Sequence, residues 1–167
     1  MSFGAIQSGK YGFEKQTHDK KRATLGATMA LADGRIFRYV ENGGTAIGEG
    51  LVVASEAPAG NHDDDLVVAV SGAAGGKTIS ITLGATAAAK NLYAEGYIRP
   101  NLASTTPHEM YKIHSHPQIA SNGTGVFTID EPDGFQTAIT AGTDKVGLLK
   151  SPYKDVVVAP AAVAGRF

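Results

Sequence analysis

The sequence predicts an all-β chain: a compact barrel or sandwich of many short antiparallel strands, with an extended N-terminal arm and little helix. Three observations lead there. Ile79, Ile81 and Leu83 alternate with Thr78, Ser80 and Thr82, which is the period of two of a half-buried strand. Asp33-Gly34 between two apolar segments is a strong two-residue hairpin signal. Finally, 21 glycines and 7 prolines punctuate the 167 residues into strand-sized pieces, and no long segment carries a helical period.

Residues 1–22 differ from the rest. They carry Lys10, Lys15, Lys20, Lys21 and Arg22 against Glu14 and Asp19, with Phe3, Ile6, Tyr11 and Phe13 scattered between glycines. No strand or helix period runs through them, so they read as an arm that orders on a partner surface. The domain organisation expected is an arm over 1–22 and a single β-rich domain over 23–167. From residue 24 the rhythm turns to β. Residues 24–31 and 35–40 form a hairpin about Asp33-Gly34, Asn42-Gly43-Gly44 turns the chain again, and 50–54 is a further strand. Residues 58–65 form a polar loop. Residues 65–71 and 77–83 pair across a glycine-rich connection. Residues 85–93 are rich in alanine but short, and give one helical turn at most. Strands are then expected at 96–99, 109–115, 125–129, 134–140, 146–149 and 155–159.

Composition excludes several functions. The net charge is −1 with 19% charged residues, which is not the clustered positive excess a nucleic-acid binder needs. There is no cysteine, hence no disulfide framework and no thiolate metal site. No apolar run reaches the length needed to cross a bilayer, and the first ten residues lack a signal-peptide core.

Four motifs carry possible chemistry. Residues 72–78, Gly-Ala-Ala-Gly-Gly-Lys-Thr, look like a phosphate-binding loop. The first glycine of that pattern belongs at position 71, which is Ser71, and Lys77 opens an alternating strand where the loop needs a helix. His114-Ser115-His116-Pro117 is the best metal candidate, because His-x-His on a strand puts both imidazoles on one face, with His108, Glu109 or Asp130 as a third ligand. It also resembles the start of the JAMM-type metalloproteases. That pattern needs serine and aspartate where this chain has Thr124 and Phe127. The acidic run Asn61-His62-Asp63-Asp64-Asp65 lacks the spacing of a calcium loop and reads as solvated charge. Asn122-Gly123-Thr124 is a formal glycosylation acceptor but reads as a turn. Arg38 and Tyr39 on one strand stack on a neighbour or flank the sheet. No serine or carboxylate arrangement suggests catalysis.

The stretch from Asp33 to Val53 resembles a pattern in small virion structural proteins of tailed bacteriophages. There a Gly-Arg-hydrophobic-Phe-Arg-Tyr strand leads into a Gly-Gly-Thr-Ala-hydrophobic turn. Asn91-Leu92-Tyr93-Ala94-Glu95-Gly96-Tyr97, the segment from Tyr111 to Pro117, and Asp155-Val156-Val157-Val158-Ala159-Pro160 are similar to later blocks of the same family. The resemblance implies a capsid decoration (cement) protein. Such a protein sits as a homotrimer on the outer surface of the phage head, binds the major capsid protein, and stabilises the shell. It implies a virion location after assembly in the host cytoplasm. No enzymatic activity, cofactor, metal, nucleic acid, membrane or small-molecule substrate is expected. On this reading Phe3, Ile6, Lys10, Tyr11, Phe13, Lys20, Lys21 and Arg22 contact the partner. The alternatives are another phage structural component (head fibre base, tail or connector protein) or a zinc metalloprotease-like domain using His114 and His116.

Overall fold

The computed structural model describes residues 6–101 and 109–159. The described chain forms four short strands, β1 (Gln7–Ser8), β2 (Thr28–Ala30), β3 (Ile36–Arg38) and β4 (Val53–Ala54). Six longer ones follow: β5 (Leu66–Val70), β6 (Thr78–Thr82), β7 (Tyr97–Asn101), β8 (Tyr111–Ser115), β9 (Thr124–Ile129) and β10 (Lys145–Leu149). A last short strand is β11 (Val157–Val158). The all-β class is as the sequence predicts.

The chain divides into two compact units, Ala57–Ser151 and Met1–Glu56 with Pro152–Phe167. This division differs from the expected boundary after residue 22. The physical reason is that the arm is not separate: Gln7 and Ser8 pair in parallel with Met29 and Ala30, which makes the arm's first described residues an edge strand of a sheet.

The unit 57–151 is a closed barrel in the order β10-β5-β6-β9-β8-β7, and every neighbouring pair is antiparallel. Closure leaves no unpaired sheet edge. Alternation decides what fills the interior. Leu66 and Val68, Ile79 and Ile81, Tyr111 and Ile113, Phe127 and Ile129, and Val146 and Leu148 all point inward and are buried. Each such side chain contributes roughly 1.5–3 kcal/mol through removal from water. Pro100 is tolerated inside β7 because β8 pairs only with Tyr97 and Ile98, so no ladder bond to β8 is lost there.

The glycine-rich connection 72–76 opens no helix, and Lys77 leads into β6. Its glycines are used for close approach. A Cβ on Gly72 would lie 2.8 Å from the Phe135 ring, and one on Gly134, at φ +71°, would lie 2.4 Å from the Gly75 carbonyl oxygen. That approach also accounts for one departure from expectation. Residues 134–140 make no ladder strand; Phe135 and Ile139 form only isolated bridges to Ala74 and Gly72. Residues 85–93 contain no helix, and Ala88 instead exchanges two backbone hydrogen bonds with Ile119.

The second unit holds two small sheets, β1-β2-β3 and β11-β4. A hairpin forms at Asp33-Gly34, with Thr28, Met29 and Ala30 opposite Arg38, Phe37 and Ile36; its loop has three residues, where two were expected, because the Leu31 N–H donates to the Arg35 carbonyl and the Gly34 N–H to that of Leu31. Gly34 has φ +87°.

Candidate partner-binding surface

The β2-β3 hairpin is tightened by its turn. The Asp33 carboxylate accepts from the Arg35 backbone N–H (3.1 Å) and from Arg35 Nε (2.7 Å). These bonds, led by the backbone N–H, hold the Asp33 carboxyl below its ordinary value, and the same carboxylate raises Arg35. The backbone groups of Arg35 and Tyr39 bond to Leu31 and Ala27 of the facing side. By antiparallel alternation, the groups of Ile36 and Arg38 then face the open edge of the sheet. Arg38 donates to the Gly26 carbonyl (2.9 Å) and lies 5.9 Å above the Tyr153 ring. Tyr39 Oη accepts from the Arg22 backbone N–H at 3.0 Å, which anchors the end of the arm.

Between the arm and this sheet runs a groove of about 740 Å³. Phe13, Thr17, His18 and Lys21 line it from the arm, and Leu25, Met29, Phe37, Ile47 and Val156 supply apolar surface opposite. Of the residues expected to meet a partner, the structure brings Phe13 and Lys21 to the groove. Ile6, Lys10, Tyr11, Lys20 and Arg22 are exposed but do not line it. Phe3 lies outside the described residues. Sequence reasoning missed the groove's apolar wall. Its signal was present in the apolar residues around Met29 and Phe37, which the sequence assigns only to the two strands of a hairpin.

Among the described residues of this unit, ten large apolar side chains are exposed, among them Ile6, Tyr11, Phe13, Ile36 and Leu51, while two, Leu31 and Val156, are buried. The arm adds an excess of three positive charges over residues 1–22. The charged residues that line the groove are mixed, Lys21 and Arg38 against Glu14, Asp19 and Glu41, and exposed apolar surface of this density suits burial against a partner.

The histidines are placed differently from the sequence expectation. His114 and His116 should share a strand face, but the ladder between β8 and β9 shifts register between Ile113 and Ser115, and such a bulge resets which way the following side chains point. The His114 side chain is 63% exposed, 3.6 Å from Asp130. His116 is buried, and both its ring nitrogens are used. Nε2 accepts from the Tyr93 backbone N–H (3.0 Å), which leaves the proton on Nδ1, where it is donated to the Pro117 carbonyl (2.7 Å). A lone pair held by an N–H bond is not offered to a metal. Among the described residues, no three His, Asp or Glu side chains come together to hold a metal ion.

His62 corrects the reading of its loop as solvated charge. Asp63, Asp64 and Asp65 are exposed, but His62 is fully buried. Its Nε2–H donates to the Thr86 carbonyl (2.7 Å), and Nδ1 accepts from the Tyr93 hydroxyl (2.5 Å). Tyr93 thus links two buried imidazoles, and the His116 ring stacks on Phe127 at 4.7 Å. The partners satisfy the polar atoms that burial would otherwise leave costly. This cluster is part of the barrel's interior.

A smaller hollow of about 200 Å³ is lined by Glu109, Tyr111, Glu131 and Gln136. Tyr111 donates to Glu109 and accepts from the backbone N–H groups of Gln136 (3.1 Å) and Thr137 (3.4 Å). Burial, helped by the Glu109 carboxylate, raises its pKa above the ordinary tyrosine value.

No protein-family model, curated protein or solved structure matches this chain.

Proposed function

We propose that the chain is a structural virion protein of the capsid decoration (cement) type, which binds the outer surface of a phage head and stabilises it by contact. The observation that supports this reading is the N-terminal unit's surface, where, among the described residues, exposed large apolar side chains outnumber buried ones, and the arm lines a groove whose opposite wall includes Leu25, Met29, Phe37 and Ile47. The resemblance of residues 33–53, 91–97, 111–117 and 155–160 to tailed-phage virion proteins supplies the identity of the partner, the major capsid protein. The barrel serves as a rigid body that presents the docking unit. Each contact needs only modest strength, because copies held on one shell engage several subunits at once.

The test is co-sedimentation with purified heads, scored as the ratio to the main shell protein. A decoration protein binds in hundreds of copies per head. Charge reversal at Lys20, Lys21 and Arg22 to Glu lowers occupancy at least tenfold, and the loss deepens with Phe13→Ala. Unchanged occupancy in these variants would falsify the arm's role. A handful of copies per particle points to a tail or connector part instead.

A further inference from the structure

Two connections of the barrel lie outside its six-strand ladder: segment 84–96, between β6 and β7, and segment 116–123, between β8 and β9. They leave from the same end, because Thr82 closes β6 opposite Thr124, where β9 begins. Ala88 and Ile119 exchange backbone bonds between them, and His116 supplies most of the rest. Its backbone N–H donates to Asn91 Oδ1 (3.0 Å), and its carbonyl accepts from the Asn91 N–H (3.2 Å). Its ring Nε2 accepts from the Tyr93 N–H (3.0 Å). The Tyr93 hydroxyl carries the link on to His62, whose Nε2–H reaches back to the Thr86 carbonyl. The His116 ring is buried and stacked on Phe127.

We propose that His116 is a proton-sensitive latch: a proton on Nε2 releases segment 84–96 and opens this end of the barrel. A backbone N–H only donates, and it cannot turn round. A second proton at Nε2 therefore sets two hydrogens face to face and breaks the bond to Tyr93. It also leaves a charged ring enclosed against a phenylalanine. His62 differs. Its Nδ1 faces a hydroxyl, which rotates to accept as readily as it donates, so that link survives in either state. The sensitivity sits at His116.

The charged groups around the latch do not remove it. Asp63, Asp64 and Asp65 follow His62, Lys90 lies on segment 84–96, and His114 precedes His116; all five are exposed. Glu95, after Tyr93, is half-buried. So are Lys145 and Lys150 at β10, whose Leu148 N–H donates to the His62 carbonyl. β9, which supplies Phe127, carries no charge. A carboxylate that stabilised a proton at Nε2 would have to take the place of the Tyr93 N–H, and that exchange is itself the release.

The sign follows from where the proton is bound. The released chain takes it up near the ordinary imidazole value of about 6.5, and the latched state does not. The latch is fully engaged above that value, and acidification weakens it by up to about tenfold per pH unit below it. This inference does not rest on the virion reading.

Hydrogen exchange of the full chain at about pH 7.5 and about pH 5, corrected for the intrinsic pH dependence of exchange, is the test. The amides of Ala88, Asn91 and Tyr93 lose at least tenfold in protection at the lower pH, while those of β6 and β9 keep theirs. His116→Gln, which retains a neutral acceptor, loses this pH dependence, and the exposed control His114→Gln behaves as the wild type. Nitrogen NMR of the wild-type histidine rings gives a reading that needs no variant: His116 Nε2 stays unprotonated for as long as segment 84–96 is protected, while His114 titrates. A His116 ring that takes up its proton with Ala88, Asn91 and Tyr93 still protected overturns the proposal. So does a loss of protection shared equally by β6 and β9, no loss at all, or one that persists in His116→Gln.

Discussion

The described residues of 57–151 bury seventeen hydrophobic side chains and expose four large ones, whereas those of the other unit bury two and expose ten. The difference follows from strand length and closure. Strands of five or six residues put two or more side chains each into a shared interior, and a closed ring of six gives every inward side chain neighbours on all sides. Strands of two or three residues in sheets of two and three cannot enclose anything. Their apolar residues, Ile36, Val53, Val157 and others, find no cover among their own strands. The barrel is stable by what it encloses, and the N-terminal unit is organised around what it displays.

The sharpest way to break this comparison is to truncate one phenylalanine on each side. Phe127→Ala in the barrel costs about 3–5 kcal/mol in urea unfolding, through lost burial and the cavity left behind. Phe13→Ala in the groove stays within about 0.5 kcal/mol, because its ring is already exposed. Equal losses at the two positions would mean that the N-terminal unit has an enclosed core after all.

Next in size is Tyr93→Phe, which strips His62 Nδ1 of its donor inside the barrel. The expected loss is about 1–3 kcal/mol, read from the same unfolding curves. An unchanged midpoint would show that the buried imidazole does not rely on that bond.

Tyr111→Phe sharpens the comparison through pH. The Tyr111 pKa is raised in the folded state, first by burial and then by Glu109, from an ordinary value of 10.0. The folded state therefore holds the proton more tightly than the unfolded chain. This contribution is fully present below the unfolded pKa and is lost as pH rises through the folded one. The wild type loses stability on the alkaline side, and Tyr111→Phe loses that part of the slope, at a cost of about 1–2 kcal/mol at neutral pH from the abandoned N–H groups. Parallel alkaline slopes for the two proteins contradict this assignment.

Smallest is His114→Ala, expected within about 0.5 kcal/mol and without effect on melting in the presence of zinc. A zinc-dependent rise in the melting temperature that disappears in this variant would restore the paired-histidine reading.

Much of the barrel was legible in order. Residues 77–83 state their strand by strict alternation, because one face is buried and the other wet. Asp33-Gly34 stated a hairpin, though of the two only Gly34 takes positive φ, at the end of a three-residue loop. The misses share a cause. Residues 134–140 look like a strand, yet they serve to pack Phe135 and Ile139 over glycines sixty or so positions away. His114 and His116 keep strand spacing, yet a bulge separates their surroundings. His62 sits in an acidic run and is nevertheless the most enclosed polar side chain of the barrel. In the arm, the basic and apolar residue types were visible. Which of them reach the groove, Phe13 and Lys21, was not.

By itself the sequence determined the all-β class, most strand positions, the alternation of residues 78–83 and the basic, apolar character of the arm. These depend on periodicity and composition, which act locally. Only the tertiary structure decided that the strands close in the order β10-β5-β6-β9-β8-β7 and that the arm joins a sheet. Those outcomes depend on pairing between residues distant in the chain, and local alternation is the same whichever partner a strand finds.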